Sequence, residues 1–208
     1  MSKQRVLVID DEQVVLDSVR KILMAENYEV DQCLGGKEGI EKAISQAYDL
    51  VLTDIRMPDI GGLIVLRDVK RAKPSLPVMI ITGYASVRSA VQAMKLGAAD
   101  YIEKPFSPDE LVKAVSGSIH RAAEEQPEEQ AIIHKEEVLK VLELGAVDFD
   151  FRRELLNNGA DALDGFQLTG PEKLAIITGD IAWIEAHVGA LSPDQKVWLE
   201  ARLGAEIW

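Results

Sequence analysis

Along the first part of the chain, short unbroken apolar runs alternate with stretches in which apolar residues return every three or four positions. Residues 5–9 (RVLVI), 49–53 (DLVLT) and 77–82 (PVMIIT) are runs of the first kind, the pattern of strands buried on both faces of a parallel sheet. Residues 28–33 and 99–102 read as two further strands. Between them, residues 12–25 place Val15, Val19, Ile22 and Leu23 on one helical face, and residues 36–47 do the same with Ile40, Ala43 and Ile44. A third helix carries Leu63, Leu66 and Val69 up to Pro74, and a fourth spans residues 86–96. The fifth opens at Ser107-Pro108-Asp109-Glu110, a capping box with proline at the first helical position, and buries Leu111, Val115 and Ile119. Strands alternating with helices in this way predict an α/β fold, a doubly wound five-stranded parallel sheet.

After residue 122 the strand pattern stops. Residues 123–130 are polar, charged and broken by Pro127, which reads as a linker between a domain at 1–122 and a module at 131–208. Residues 128–144 predict a helix with Ile132, Ile133, Val138, Leu139 and Leu142, and residues 148–158 a second with Phe151, Leu155 and Leu156 inward, stopped by Asn157-Asn158-Gly159. Thr169-Gly170-Pro171-Glu172 caps a third helix expected to run to His187. Its apolar residues Leu174, Ile177, Ile181, Ile184 and Val188 step in heptad fashion. Ser192-Pro193-Asp194-Gln195 opens a fourth, with Trp198, Leu199 and Leu203. The result is a small all-α C-terminal module. All three tryptophans (Trp183, Trp198, Trp208) lie in it and are expected to fill its core, although Trp183, beside the heptad seam, also suits a partner surface. A core this small is marginal alone, which favours docking or dimerisation.

Of 208 residues, 47% are hydrophobic and 28% charged, a globular composition that excludes a disordered or collagen-like chain. The net charge of -12 is unevenly spread: residues 1–122 hold 16 basic and 17 acidic residues, residues 123–208 only 7 basic and 18 acidic. A DNA-binding output must neutralise phosphates with Lys and Arg, so this module is expected not to bind DNA. No apolar run is long enough to span a membrane, and the start lacks the pattern of a signal peptide. A single cysteine, Cys33, excludes an internal disulfide and reads as a small apolar residue at a strand end. Together these features lead us to expect a cytoplasmic protein.

In open parallel sheets, ligands bind beyond the carboxyl ends of the strands. The residues there are Asp10 and Asp11, Asp54, Thr82 and Lys104. Taken singly, each has an ordinary explanation, such as an acid in a helix's first turn. Taken together they form a chemistry. Adjacent carboxylates repel unless a cation intervenes, and their oxygens suit Mg2+, a hard ion often shared with a substrate phosphate. One carboxylate can act as nucleophile and form an aspartyl-phosphate, while an ammonium and a hydroxyl receive the phosphoryl oxygens.

The motifs Val-Ile-Asp-Asp-Glu (8–12), Thr-Asp-Ile-Arg-Met-Pro-Asp (53–59) with Gly61-Gly62, Ile-Thr-Gly-Tyr-Ala (81–85) and Tyr-Ile-Glu-Lys-Pro-Phe (101–106) are similar to those of the receiver domain of two-component response regulators, a flavodoxin-like fold. The resemblance covers residues 1–122 and implies a phosphorelay role. It implies that Asp54 accepts a phosphoryl group from a histidine kinase or phosphotransfer protein. Asp10 and Asp11 would hold Mg2+, with Asp54 and the backbone carbonyl of Arg56 completing the protein ligands. Lys104 would pair with the phosphoryl group, Thr82 would move toward it, and Tyr101 would be the aromatic switch that fills the space Thr82 leaves. Lys104-Pro105 is expected to be cis. Arg56 and Tyr84 either orient or obstruct the attacking water, or are plain loop residues. Aspartyl-phosphate phosphatases carry a second acid two residues after the nucleophile. Arg56 holds that place here, so no enzyme activity is expected beyond phosphorylation and dephosphorylation of Asp54 itself.

In the second part, Phe151-Arg152, Leu155-Leu156, Phe166, Leu168-Thr169, Glu172 and Ala175-Ile176 resemble the small helical subunit of an extradiol protocatechuate dioxygenase, without metal ligands. Helix amphipathicity produces the same pattern, and no activity is assigned from it. His120, His134 and His187 read as surface helical residues, far apart in sequence and outside any phosphotransfer motif. The expected output is contact with an unidentified protein partner. Two alternatives stay open: a receiver-gated subunit of an enzyme assembly, and phosphorylation-controlled formation of a homodimer.

Overall fold

The computed structural model describes residues 3–83 and 87–203, without the side chains of residues 87–89 and 203; Tyr84, Ile207 and Trp208 lie outside the described residues. The apolar runs become β1 (Arg5–Ile9), β2 (Glu29–Cys33), β3 (Leu50–Thr53), β4 (Val78–Thr82) and β5 (Asp100–Glu103). Between and after them lie α1 (Gln13–Ala25), α2 (Gly36–Ser45), α3 (Gly62–Ala72), α4 (Val87–Lys95) and α5 (Pro108–Glu124). The strands form one parallel sheet in the order β2-β1-β3-β4-β5. This is the doubly wound, flavodoxin-like arrangement the pattern calls for. Val6, Val8, Leu50, Leu52, Met79 and Ile81 share a core cluster with Leu16, Val19 and Leu23 of α1 and Leu111 and Val115 of α5. Leu7, Ile9, Val51 and Ile80 are equally buried and, by the two-residue pleat, face the other side of the sheet.

Two compact units divide the chain, residues 1–128 and 129–208. α5 runs on to Glu124, into the stretch that reads as linker. The second unit holds α6 (Lys135–Val147), α7 (Phe149–Asn158), a 3-10 turn (Gly159–Leu163), α8 (Gly170–Ile177), α9 (Ile181–Val188) and α10 (Pro193–Leu203). Trp198 is buried, its ring at 2.6 Å from where a Cβ on Gly145 of α6 would stand, so the small residue lets α6 and α10 meet. Trp183 is only half-buried and stacks on His187, ring centroids 4.6 Å apart. Among the described residues, no helix is long and apolar enough to cross a membrane.

Three expectations for this unit need correction. The heptad-spaced residues do not lie on one helix. Gly179 turns the chain at φ 63° and sits where a Cβ would meet the Leu199 carbonyl at 2.3 Å, and Asp180 recaps α9 by accepting from the Trp183 N–H at 3.1 Å. Leu156 is exposed, while Phe151 and Leu155 point inward. α6 starts at Lys135, after Ile133, because the Ile133 and His134 N–H groups bond a distant carboxylate instead of continuing a helix upstream. His134 is therefore the α6 N-cap, not a surface helical residue.

That carboxylate is Glu172, fully buried in the first turn of α8. Its Oε1 accepts from Ile133 N (2.7 Å) and His134 N (2.6 Å), and its Oε2 from Thr169 N (2.7 Å), with the His134 ring Nδ1 at 3.1 Å. One side chain thus caps two helix starts. Burial alone pushes the Glu172 carboxyl up, but the hydrogen bonds from His134, Thr169 and Ile133 outweigh it and hold the group below the usual carboxylate range. Its folded value therefore lies below the unfolded one of about 4.3. The stabilisation is complete above that pH and is lost as pH falls through the folded value. All three tryptophans lie in this unit, so tryptophan fluorescence reports its unfolding alone. Glu172→Gln is expected to lower stability at pH 7 by about 2 kcal/mol and to flatten the acid-side loss below about pH 4. A variant as stable as the wild type, with the same acid profile, would contradict the double-cap role.

Candidate functional site

Strand register assembles the site. Ile9 pairs with Thr53 across β1 and β3, and Thr82 with Glu103 across β4 and β5. Asp10 and Asp54 each follow the first pair by one residue, and Lys104 follows the second. Backbone hydrogen bonds hold these exits together: Asp54 N donates to Ile9 O at 2.9 Å, and Lys104 N to Thr82 O at 2.9 Å. Beyond β3 the loop is closed at its base by Gly62 N donating to Ile55 O at 2.8 Å.

Asp10, Asp54 and Thr82 are buried, Asp11 is exposed, and one oxygen from each of Asp10, Asp11 and Asp54 lies within 4.8 Å of the others. Opposite oxygens around an octahedral Mg2+ are about 4.2 Å apart, so a small closure brings these three to ligand distance. Lys104 Nζ bonds Asp10 Oδ2 at 2.6 Å and stands 3.8 Å from Asp54 Oδ1 and 3.9 Å from Glu12 Oε1. Asp54 Oδ1 is buried and accepts no hydrogen bond among the described residues. Burial pushes the Asp54 carboxyl up; Lys104 and the Thr82 hydroxyl pull against that and Asp10 adds to it, leaving the group above the ordinary carboxylate range. A buried, unsatisfied carboxylate oxygen between one ammonium and two further acids fits a divalent cation by the chemistry of its donors.

Arg56 lies part-buried two residues beyond Asp54, in the loop before α3. Tyr101, paired with Ile80 in the sheet, is half-buried and lines a groove with Ala90, Ile102 and Lys113. Lys104-Pro105 is cis. Cys33 is buried at the end of β2, with its thiol pushed up to about 11 by burial, and is not part of the site.

Two contributors lie outside the expected set. Glu12 N donates to Asp10 Oδ1 at 3.0 Å and so orients that carboxylate. Asp59 accepts from Gly36 N at 3.1 Å and Lys37 N at 3.0 Å, capping α2 from the loop that follows Asp54. The glycine N-cap of α2 signals that a cap must come from elsewhere, but nothing local names the acceptor.

Comparison with known proteins converges on the same part of the chain. Over 123 residues, 59% of this chain and 51% of that protein, it is 37% identical to the transcriptional regulatory protein ResD of Bacillus subtilis (strain 168). The chain spans about half the length of the curated relatives it matches. A CheY-like response regulator receiver domain protein from Methanospirillum hungatei JF-1 matches at 33% identity and a TM-score of 0.56, covering 60% of this chain and 100% of that one. The response regulator TrrA from Thermotoga maritima, solved in complex with Mg2+ and BeF, matches at 35% identity and a TM-score of 0.51, covering 55% of this chain and 98% of that one. Residues 6–116 match the response regulator receiver domain, more than half of the chain, and the protein belongs to that family.

Proposed function

We propose that the protein is the response regulator of a two-component phosphorelay. It takes a phosphoryl group onto Asp54 from a histidine kinase or phosphotransfer protein and signals through its helical module by protein contact in the cytoplasm. The observation that carries this reading is Asp54 Oδ1: buried, accepting no hydrogen bond among the described residues, and 3.8 Å from Lys104. In the transfer, an Asp54 oxygen attacks the phosphorus, the new P–O bond forms as the P–N bond to the donor imidazole breaks, and the histidine leaves with its electron pair and takes up a proton. Asp10, Asp11, Asp54 and the backbone carbonyl of Arg56 would hold Mg2+, which when bound neutralises charge on the phosphoryl oxygens.

The chain's own groups do the rest. Lys104 already bridges toward Asp54 from Asp10, so it reaches an added phosphoryl oxygen by exchanging one anionic partner for another. The Thr82 hydroxyl donates to the same group. The modification adds nearly two negative charges at a site where burial disfavours charge, and that imbalance drives the rearrangement. Tyr101, half-buried beside β4, turns toward the space Thr82 leaves. Outside substrates are not hydrolysed, because Arg56 stands where a second acid would be needed. Support for an output other than DNA comes from charge: residues 123–208 carry 7 basic and 18 acidic residues. Homodimer formation is a further element of the reading, suited to a module with so small a core.

With acetyl phosphate and Mg2+, the wild type is expected to gain one phosphoryl group by intact-protein mass spectrometry, and Asp54→Ala none; full incorporation in that variant would overturn the assignment. Asp11→Asn is expected to weaken Mg2+ binding about 10-fold or more, measured by calorimetry without phosphodonor. Chelating the cation should stop phosphorylation in every variant, and phosphorylation that persisted in EDTA would remove Mg2+ from the reading.

A further inference from the structure

α7 is apolar on two opposite sides. Phe151 and Leu155 point into the core of the second unit, while Phe149 is 70% exposed and Leu156 58% exposed. Phe149 and Leu156 stand seven residues apart, close to two helical turns, and form one stripe along the outer side of the helix. Val147, 80% exposed, adjoins the stripe in the chain at the end of α6. Among the described residues the module exposes two other large apolar side chains, Ile133 and Val197, so three of the five gather between 147 and 156. A helix with apolar residues on both sides belongs between two packed layers. Among the described residues α7 has such a layer on one side only, and a cluster of exposed apolar side chains marks a contact surface.

Charge identifies the missing layer. Asp150 and Glu154 balance Arg152 and Arg153, so α7 carries no net charge, within a stretch (123–208) that holds 7 basic and 18 acidic residues. Two copies of so acidic a module repel each other over most of their surface, and less where the charge is balanced. Arg153 meets Asp150 of its own helix at 2.8 Å beside the stripe, and both side chains are well exposed. A pair this open contributes little and can exchange partners. A uniformly acidic or basic partner meets a like charge here as well as an opposite one, whereas a second α7 supplies both signs in matching places. With two α7 helices antiparallel and Phe149 facing Leu156 of the other copy, Arg153 lies about 3 Å along the axis from Asp150 of the second copy and about 4.5 Å from its own, at about 1.5 Å rise per residue. The face is complementary to itself in apolar anchors and in charge, as a two-fold interface requires.

We propose that the outer side of α7 is the homodimer interface, occupied by α7 of a second copy of this chain running antiparallel to it. This gives the homodimer of the proposed function its surface and rests on that element of the reading. It places the contact in the helical module and makes it independent of the charge on Asp54.

The test measures the mass of the full chain by sedimentation in EDTA without phosphodonor, at about 100 μM, where a micromolar dimer is nearly complete. The wild type is expected at twice the chain mass of 22.9 kDa. Asp54→Ala should match it, so the interface and the phosphoacceptor assignment fail separately. Phe149→Ser and Leu156→Ser should each weaken the dimer about 10-fold or more. Both positions are exposed, so the unfolding midpoint of the monomer, followed by tryptophan fluorescence, should stay at or above the wild-type value. Asp150→Arg and Arg153→Asp should each weaken self-association, and an equal mixture of the two should recover a mixed dimer in which every Arg again faces an acid. A monomeric wild type overturns the second copy as occupant and leaves the phosphorelay assignment standing. A dimer unchanged in Phe149→Ser and Leu156→Ser overturns the α7 face while keeping the homodimer. A mixture that stays monomeric overturns the antiparallel pairing.

Discussion

The structure turns on holding three carboxylates closer together than they would choose to be. Asp10, Asp11 and Asp54 approach within 4.8 Å, and two of them are buried. Their mutual repulsion has to be opposed by something stiffer than side-chain preference, and the parallel sheet provides it. Asp54 N donates to Ile9 O, so the β1 and β3 exits cannot separate without breaking the ladder between two fully buried strands. Lys104 arrives from two strands away through the bond of its own N–H to Thr82 O. The site is thus a property of register, and the Lys104 ammonium, shared at unequal distances between Asp10 and Asp54, compensates it electrostatically.

That unequal sharing makes the site responsive to what happens on Asp54. An ammonium bonded to one carboxylate and near another has a second partner within reach, and under the proposed phosphorylation the added negative charge on Asp54 would favour that partner. The loop after Asp54 is meanwhile tied down on its far side, where Asp59 caps α2 and Gly62 closes on Ile55. Strain generated at Asp54 therefore has least freedom toward α2 and α3. Under the proposed phosphorylation it would be directed toward β4 and β5, which carry Thr82 and Tyr101, and toward Lys104 just beyond β5.

Most of this was legible from the chain alone because the information is local. Unbroken runs such as VLVI and VMIIT mark buried parallel strands, and the strand ends are where polar chemistry must emerge, so Asp10, Asp54, Thr82 and Lys104 could be named before their distances were known. What escaped was non-local. Glu172 reads as one member of a capping box, which it is. Nothing in residues 133–134 announces that their N–H groups reach it across 38 and 39 positions and so move the start of α6 to Lys135. The break at Gly179 was masked by a periodicity that continues through it: Leu174, Ile177 and Ile184 are all buried, as a single helix would have them, although two helices carry them. Helical spacing records which residues face the core, and a tight glycine turn can preserve that facing while changing the axis.

Among the described residues, α2 and α6 begin without a side-chain cap of their own and take a carboxylate from elsewhere, α2 from Asp59 and α6 from Glu172. An acid lent in this way ties the start of one helix to a distant element, a long-range constraint made from charge-assisted hydrogen bonds rather than apolar area. In the second unit this matters more, because a core below about 80 residues has little apolar area to spare. Acidic residues there do structural work that an apolar core would do in a larger domain, which gives part of the module's negative charge a purpose inside the fold.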